Sequence, residues 1–319
     1  SGPAQRGATE RQRMRAVFLG TPAAAIPSLA ALIDVAEIAM VVTRPDTAKG
    51  RSGKPTPTPI KAAALEWGLP IAQPKTRAEI ETVLSQAEAD IGVVVAYGRI
   101  LSPAALETTP AGFVNVHFSL LPRWRGAAPV ERAILAGDET TGVSLMQLDE
   151  GLDTGPVIAA LETPIEADET GGSLSGRLAY LGAMIIDDVL PDLLAGRLEA
   201  APQLRTGVTG AGPLDPSEAR IDASWTVGYA ERAVRAFNPR PGAWFEMDST
   251  RFRVHRASPS PEAVTPGVVA AFNGEAILGL QGGSLAIEVI QPAGKAPMPG
   301  PAWLNGRRGT GGRIDPAPE

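Results

Sequence analysis

Residues 91–96 read IGVVVA, the most apolar run in the chain, with no charged residue to mark a solvent face. A short β-branched run of this kind predicts a central strand covered on both sides, as in a parallel sheet. Working outward, RAVFLG (Arg15–Gly20) and EIAMVVT (Glu37–Thr43) read as further strands, as do GFVNVHF (Gly112–Phe118) and GVSLMQL (Gly142–Leu148). Helical patterns lie between or after them, over Ile26–Ile33, Pro59–Gly68, Arg77–Ala87 and, at greater length, Ser173–Leu194. Strands alternating with helical segments predict an α/β fold, a doubly wound, mostly parallel Rossmann-like sheet.

The pattern changes after residue 205. TGVTGAGPLDPSEA (Thr206–Ala219) is turn-rich and suits an interdomain linker. A helix is expected near Thr226–Ala236. Short strands then follow at close spacing, GAWFEM, RFRVHRA, GVVAAF, AILGL and SLAIEVI, which predicts a small OB-like β-barrel. The expected organisation is a catalytic domain over 14–205, a linker over 206–219, a barrel over 220–306 and a disordered tail over 307–319. The polar, patternless residues 1–13 are expected to be a cloning remnant or a disordered extension.

Composition narrows the chemistry. Of 319 residues, 44% are hydrophobic and 20% charged, as expected of a folded globular protein. With no cysteine, disulfides and thiolate nucleophiles are excluded, and two histidines make a zinc site improbable, so no metal is expected. No apolar run approaches the roughly 18 residues of a membrane span, and a cytoplasmic, monomeric protein is expected. The net charge of −6 argues against a generally basic nucleic-acid binder. The charge is uneven, however. From Thr206 onward the chain carries eleven cations and eleven acids, so the whole deficit falls earlier. Within that acidic part, Arg44–Lys61 (RPDTAKGRSGKPTPTPIK) holds five cations and one acid. A solvated Gly/Pro-rich loop explains this composition equally well; its charge favours phosphate contact.

Side chains of a strand alternate, so Asn115 and His117 share a face of the strand that ends before Pro122. They lie near the carboxyl end of a strand, where open α/β sheets bind ligands. DEGLDTGPVI (Asp149–Ile158) adds an acidic loop that can bring Asp153 to the same site. An amide donor, an imidazole and a carboxylate suffice for acyl transfer to an attacking amine: Asn115 donates to the oxyanion and His117 stabilises charge or moves a proton. No G-x-S-x-G turn offers a nucleophile. GTPAAA after the first strand lacks the glycines of a dinucleotide site, which speaks against an oxidoreductase.

NVHFSLLPRWRGAAP (Asn115–Pro129) followed by GVSLMQLDEGLDTGPV resembles the formyltetrahydrofolate-dependent formyltransferases. The SLLPRWRGAAP form is similar to the branch acting on methionyl-tRNA. VFLGTP, VVTRPDTAKGR, VVVAYGRILS, RAFNPRPGAWF and QPAGKAPM extend the resemblance from Met14 to about Gly306. It implies that Asn115, His117 and Asp153 are catalytic, and that the formyl group of 10-formyltetrahydrofolate passes to the α-amine of methionyl initiator tRNA. It implies a folate pocket lined by Tyr97, Gly98, Arg99, Ile100 and Leu101, by Ser119, Leu120, Leu121 and Pro122, and by Asp149 and Gly151. It assigns the loop after the second strand to the acceptor-stem region, with Arg44, Lys49, Arg51 and Lys54 as cations. Arg251, Arg253 and Lys295 are the corresponding barrel candidates. Two departures stand out: Phe118 occupies a position more often small, and TGVTGAGPLD lacks the interdomain lysine. A formyltransferase acting on a small amine (glycinamide ribonucleotide or an amino sugar) and a non-catalytic tRNA-binding protein are the alternatives. His255 is expected at the surface.

Overall fold

The computed structural model describes residues 13–48, 53 and 55–316. The chain divides into two compact units. One comprises residues up to His117, Val143–Leu161 and Ala179–Gln203; the other comprises Phe118–Gly142, Glu162–Leu178 and the chain from Leu204.

The first unit is built on β1 (Arg15–Gly20), α1 (Ile26–Val35), β2 (Glu37–Val42), α2 (Pro59–Glu66), β3 (Ile71–Ala72), α3 (Arg77–Ala87), β4 (Ile91–Val95) and β5 (Phe113–His117). With β6 (Thr140–Gln147) and β7 (Val157–Pro164) the strands form one sheet in the order β7-β6-β5-β4-β1-β2-β3. β3, β2, β1, β4 and β5 pair in parallel, whereas β6 runs antiparallel to β5. Every residue of β4 is buried, which accounts for its unbroken apolar sequence. α3 starts where Thr76 Oγ1 accepts the Glu79 N–H at 3.2 Å, and the Glu79 carboxylate accepts the Lys75 N–H at 2.7 Å. Its Ile80, Leu84 and Ala87 recur at helical spacing and are buried, and left-handed Glu88 ends it.

The second unit holds α4 (Pro129–Ala136), with proline in its first turn and left-handed Gly137 (φ 78°) at its end. The stretch read as a linker is a strap in this unit. Gly210–Ala211 pairs in parallel with Arg125–Gly126, and Gly126 (φ 121°) admits the Ala211 carbonyl, which a Cβ would meet at 2.6 Å. Arg132 forks onto Glu218 at 2.6 and 3.1 Å. α5 spans Gly171–Leu194. α6 (Val227–Ala236) packs on α4, and Arg232 Nε donates to the Leu135 carbonyl at 3.0 Å.

β8 (Trp244–Met247), β9 (Thr250–Ser260), β10 (Val268–Phe272), β11 (Glu275–Leu280), β12 (Gly283–Pro292) and β13 (Gly312–Arg313) form an antiparallel sheet that nearly closes into a barrel, in the order β8-β9-β12-β11-β10-β13. Its core stacks Phe245 on Phe252 (5.5 Å) and Phe252 against Trp303 of α7 (Gly300–Gly306) at 5.1 Å. Each large side chain fully buried there contributes roughly 1.5–3 kcal/mol. Within the tail expected to be disordered from Arg307, Gly312–Arg313 instead add a short strand to this sheet. Ile314 is buried, β13 pairs with β10, and the Asp315 N–H donates to the Glu246 carbonyl at 2.7 Å.

Gly92 of β4 sits opposite Phe113 of β5, and a Cβ at Gly92 would lie 2.0 Å from the ring. Gly92→Ala is expected to cost about 1–3 kcal/mol by overpacking, read as a lower urea midpoint at unchanged slope. A wild-type midpoint would show that the ring moves aside without cost.

Candidate active site

The strand order reverses at β1. The chain passes from β1 to β2 and β3 on one side, then returns to β4 on the other. A crevice outside the carboxyl ends of β1 and β4 is where such sheets hold ligands. Thr21 Oγ1 spans this switch point by donating to the Tyr97 carbonyl at 3.0 Å. Beyond it the backbone turns through left-handed Ala96 (φ 48°) and Gly98 (φ 77°). Arg99 Nη1 pins the far side of the loop to the Pro74 and Lys75 carbonyls at 3.2 and 2.9 Å. Ile100 is left 71% exposed, while Leu101 is buried.

Tyr97 points the other way. Its ring belongs to the apolar cluster with Leu19, Ile80 and Leu84, and its hydroxyl has no hydrogen-bond partner among the described residues. Burial pushes its phenol pKa up, against the opposing influence of Arg99 and Arg44. Its backbone, not its hydroxyl, faces the switch point. Arg44, expected at tRNA, reaches this loop as well: its Nη1 lies 3.6 Å from where a Gly98 Cβ would be.

β5 ends one strand further along. Asn115 pairs with Val94 on one side and Met146 on the other, His117 pairs with Ser144, and both are buried. Asp153 arrives from the loop between β6 and β7 in a left-handed conformation (φ 52°), its Oδ2 3.6 Å from His117 Nδ1. The loop is braced from within and without. Asp149 Oδ1 accepts the Gly151 N–H at 3.0 Å and the Thr154 hydroxyl at 2.7 Å. Gln203 Nε2 donates to the carbonyls of Asp153 and Gly155, each at 2.8 Å. Gly155 is required because a Cβ would meet the Gln147 carbonyl at 1.9 Å. The sequence reading placed Asp149 and Gly151 at folate; the Asp149 carboxylate is engaged in shaping the turn. Thr154 and Gln203 were missed, and neither carries a local signature.

The remaining candidates among the described residues belong to the second unit. Ser119 Oγ donates to the Arg123 carbonyl at 2.6 Å, curling Ser119, Leu120, Leu121 and Pro122 into a turn. Asp138 holds that turn, accepting from Arg123 Nε and from Trp124 Nε1, each at 2.8 Å. In the barrel, Arg251 and Arg253 point outward while Phe252 and Val254 are buried. Arg251 lies 3.6 Å above the Trp244 ring and 3.7 Å from Glu246, so its cation is already partnered. Exposed Lys295 follows Ala293, whose N–H donates to the Arg251 carbonyl at 2.9 Å, bringing the three together at one end. His255, read as solvated, is half-buried, 2.9 Å from Gln291 Oε1. Lys49, Arg51 and Lys54 lie outside the described residues. Among the described residues no cluster of three or more metal-ligating side chains occurs, and no helix is long and apolar enough to cross a membrane.

This architecture is that of the formyl transferases. The formyl transferase family model matches residues 14–190, and that of the formyl transferase C-terminal domain matches 213–308. The methionyl-tRNA formyltransferase of Halorhodospira halophila is 46% identical, covering 92% of this chain and 96% of its own. That of Symbiobacterium thermophilum is 44% identical, covering 92% of both. HypX from Aquifex aeolicus, solved in complex with tetrahydrofolic acid, shares the fold at TM-score 0.64 and 16% identity, over 92% of this chain and 47% of its own. The chain belongs to the methionyl-tRNA formyltransferase family.

Tyr97→Phe is expected to leave the affinity for a folate analogue unchanged, with a thermal midpoint equal to or above wild type, because it removes an unpaired buried hydroxyl. A loss of folate affinity at unchanged stability would place the hydroxyl in the pocket.

Proposed function

We propose that the chain transfers the formyl group of 10-formyltetrahydrofolate to the α-amine of methionyl initiator tRNA, with Asn115, His117 and Asp153 as its catalytic set. The observation carrying this reading is the meeting of Asp153 and His117 at 3.6 Å, beside Asn115, at the end of β5. Relatives at 44–46% identity that are named for the tRNA reaction favour it over a small-amine substrate. The same relatives favour an enzyme over a non-catalytic tRNA-binding protein.

The residues present fit a folate. The switch-point loop presents Ile100 (71% exposed) and the Asp153 loop presents Leu152 (60% exposed), apolar surface that a flat aromatic ligand would cover. The folate supplies an activated formyl carbon bonded to nitrogen. Attack by the amine would form a new C–N bond and put negative charge on the formyl oxygen; as that tetrahedral adduct collapses, the bond from the formyl carbon to the folate nitrogen breaks and tetrahydrofolate leaves. The Asn115 amide donates to that oxygen. The amine must lose a proton as the folate nitrogen gains one, and His117 stands where such a proton can pass. Asp153 orients the imidazole and stabilises it when charged. The reading carries the expected cytoplasmic location, where aminoacylated tRNA is used. One chain carries both family modules, so a monomer suffices.

Assays with methionyl-tRNA and glycinamide ribonucleotide side by side test the substrate: transfer to the tRNA alone is expected, and transfer to the nucleotide alone would overturn the reading. Asn115→Ala is expected to cut turnover by ~10²–10³-fold, the usual scale for one oxyanion donor, and His117→Ala and Asp153→Ala should be similarly severe. Near-wild-type single-turnover rates in all three folded variants would sink the catalytic assignment.

A further inference from the structure

The basic segment 44–61 leaves β2 and returns at α2. Its stem is a short antiparallel ribbon, Thr47 opposite Thr56 and Ala48 opposite Pro55. A two-residue ribbon has little stability of its own, so its direction has to be set where it joins the fold.

A closed polar ring lies at that join. Lys61 Nζ donates to Asp46 Oδ2 at 2.5 Å and to Gln73 Oε1 at 2.7 Å. Gln73 Nε2 in turn donates to Asp46 Oδ1 at 2.7 Å and to the Arg44 carbonyl at 2.8 Å. Beside the ring, the buried hydroxyls of Thr43 and Thr58 share a hydrogen bond of 2.9 Å, and Thr58 Oγ1 accepts the Lys61 N–H as the cap of α2. The ring ties together three elements: the exit from β2, the first turn of α2 and the residue after edge strand β3. The Lys61 and Asp46 side chains are only 24% and 21% exposed. Hydrogen bonds from Lys61 first, and then from Gln73, hold the Asp46 carboxyl below its usual range. The Lys61 ammonium, one of the five cations that mark this segment in the sequence, is therefore committed inward.

We propose that Asp46, Lys61 and Gln73 are positioning residues that aim the basic ribbon at the tRNA, the ring acting through the cations the segment carries. This rests on the reading of that segment as a phosphate contact.

Gln73→Leu breaks the ring without changing charge. In the full-length enzyme it is expected to raise the KM for methionyl-tRNA by about fivefold or more, with kcat and the KM for 10-formyltetrahydrofolate within about twofold. Its salt dependence should match wild type, since no phosphate contact is lost. Lys61→Met should behave like Gln73→Leu. A salt slope reduced by about one in Lys61→Met alone would make Lys61 a direct phosphate contact and overturn the proposal. If Gln73 acts through the basic segment, Arg51→Ala combined with Gln73→Leu should be little worse than Arg51→Ala alone. Additive effects, or a wild-type tRNA KM in Gln73→Leu, overturn the positioning role while leaving the loop reading intact. A wild-type tRNA KM in Arg51→Ala overturns the loop reading, and the proposal with it. Gln73→Ala and thermal midpoints of all variants separate these outcomes from simple loss of fold.

Discussion

The Phe113 ring lying on Gly92 is the contact on which the candidate site depends. It fixes β5 against β4, and a slip of one residue would turn Asn115 and His117 to the opposite face of the sheet. A larger residue at 92 would crowd the ring, and a smaller one at 113 would leave the space over the glycine unfilled. The pairs Val93–Val114 and Val94–Asn115 then follow from register alone. An oxyanion donor has to be held in place before charge develops, and a strand between two ladders does this better than a loop.

Asp153, by contrast, comes from a loop, and its position is set by groups outside the proposed catalytic set. Gln203 anchors the backbone of Asp153 and Gly155, while Asp149 and Thr154 close the turn from inside. The basic segment is handled similarly: a short ribbon at the surface, with its charge-assisted hydrogen bonds gathered at the base. In both cases the side chain expected to meet substrate projects from a segment braced elsewhere. The bracing residues are the amides Gln73 and Gln203 and the carboxylates Asp46 and Asp149.

That division explains what the sequence reveals. The parallel strands are legible because burial on both faces leaves unbroken apolar runs, and the helices and barrel strands because burial on one face imposes a period of 3.6 or of two. Asn115 and His117 are legible because polar residues interrupt such a pattern. Gln73 and Gln203 are not, since an amide in a polar stretch looks the same whether it is solvated or buried in a network. Thr206–Ala219 shows the same limit. Its glycines and prolines read as a flexible connection, yet Gly126 and Ala211 meet backbone to backbone, a contact that depends on two segments 85 residues apart. Helix α4 went unread because its eight residues, opening on a proline, are too few to establish a period.

Charge places a further demand on any account of tRNA binding. From Thr206 onward the formal charges cancel, and several of the cations there are paired locally as well. Arg251 is stacked on Trp244 and faces Glu246, Arg256 pairs with Glu288 at 2.5 Å, and Arg220 lies 3.4 Å from Glu246. Cations neutralised in this way release few counterions from nucleic acid and contribute little to long-range attraction. A flat arginine stacked on an indole, however, presents a rigid edge of donors whose direction is set before any ligand arrives. On these grounds the barrel suits the orientation of a large anionic substrate better than its capture. On the proposed reading, attraction would fall to the basic segment 44–61, where Asp46 is the only acid and is bound to Lys61. The ring joins the base of that segment to α2 and to the end of β3, and it engages the one local carboxylate with Lys61 and Gln73.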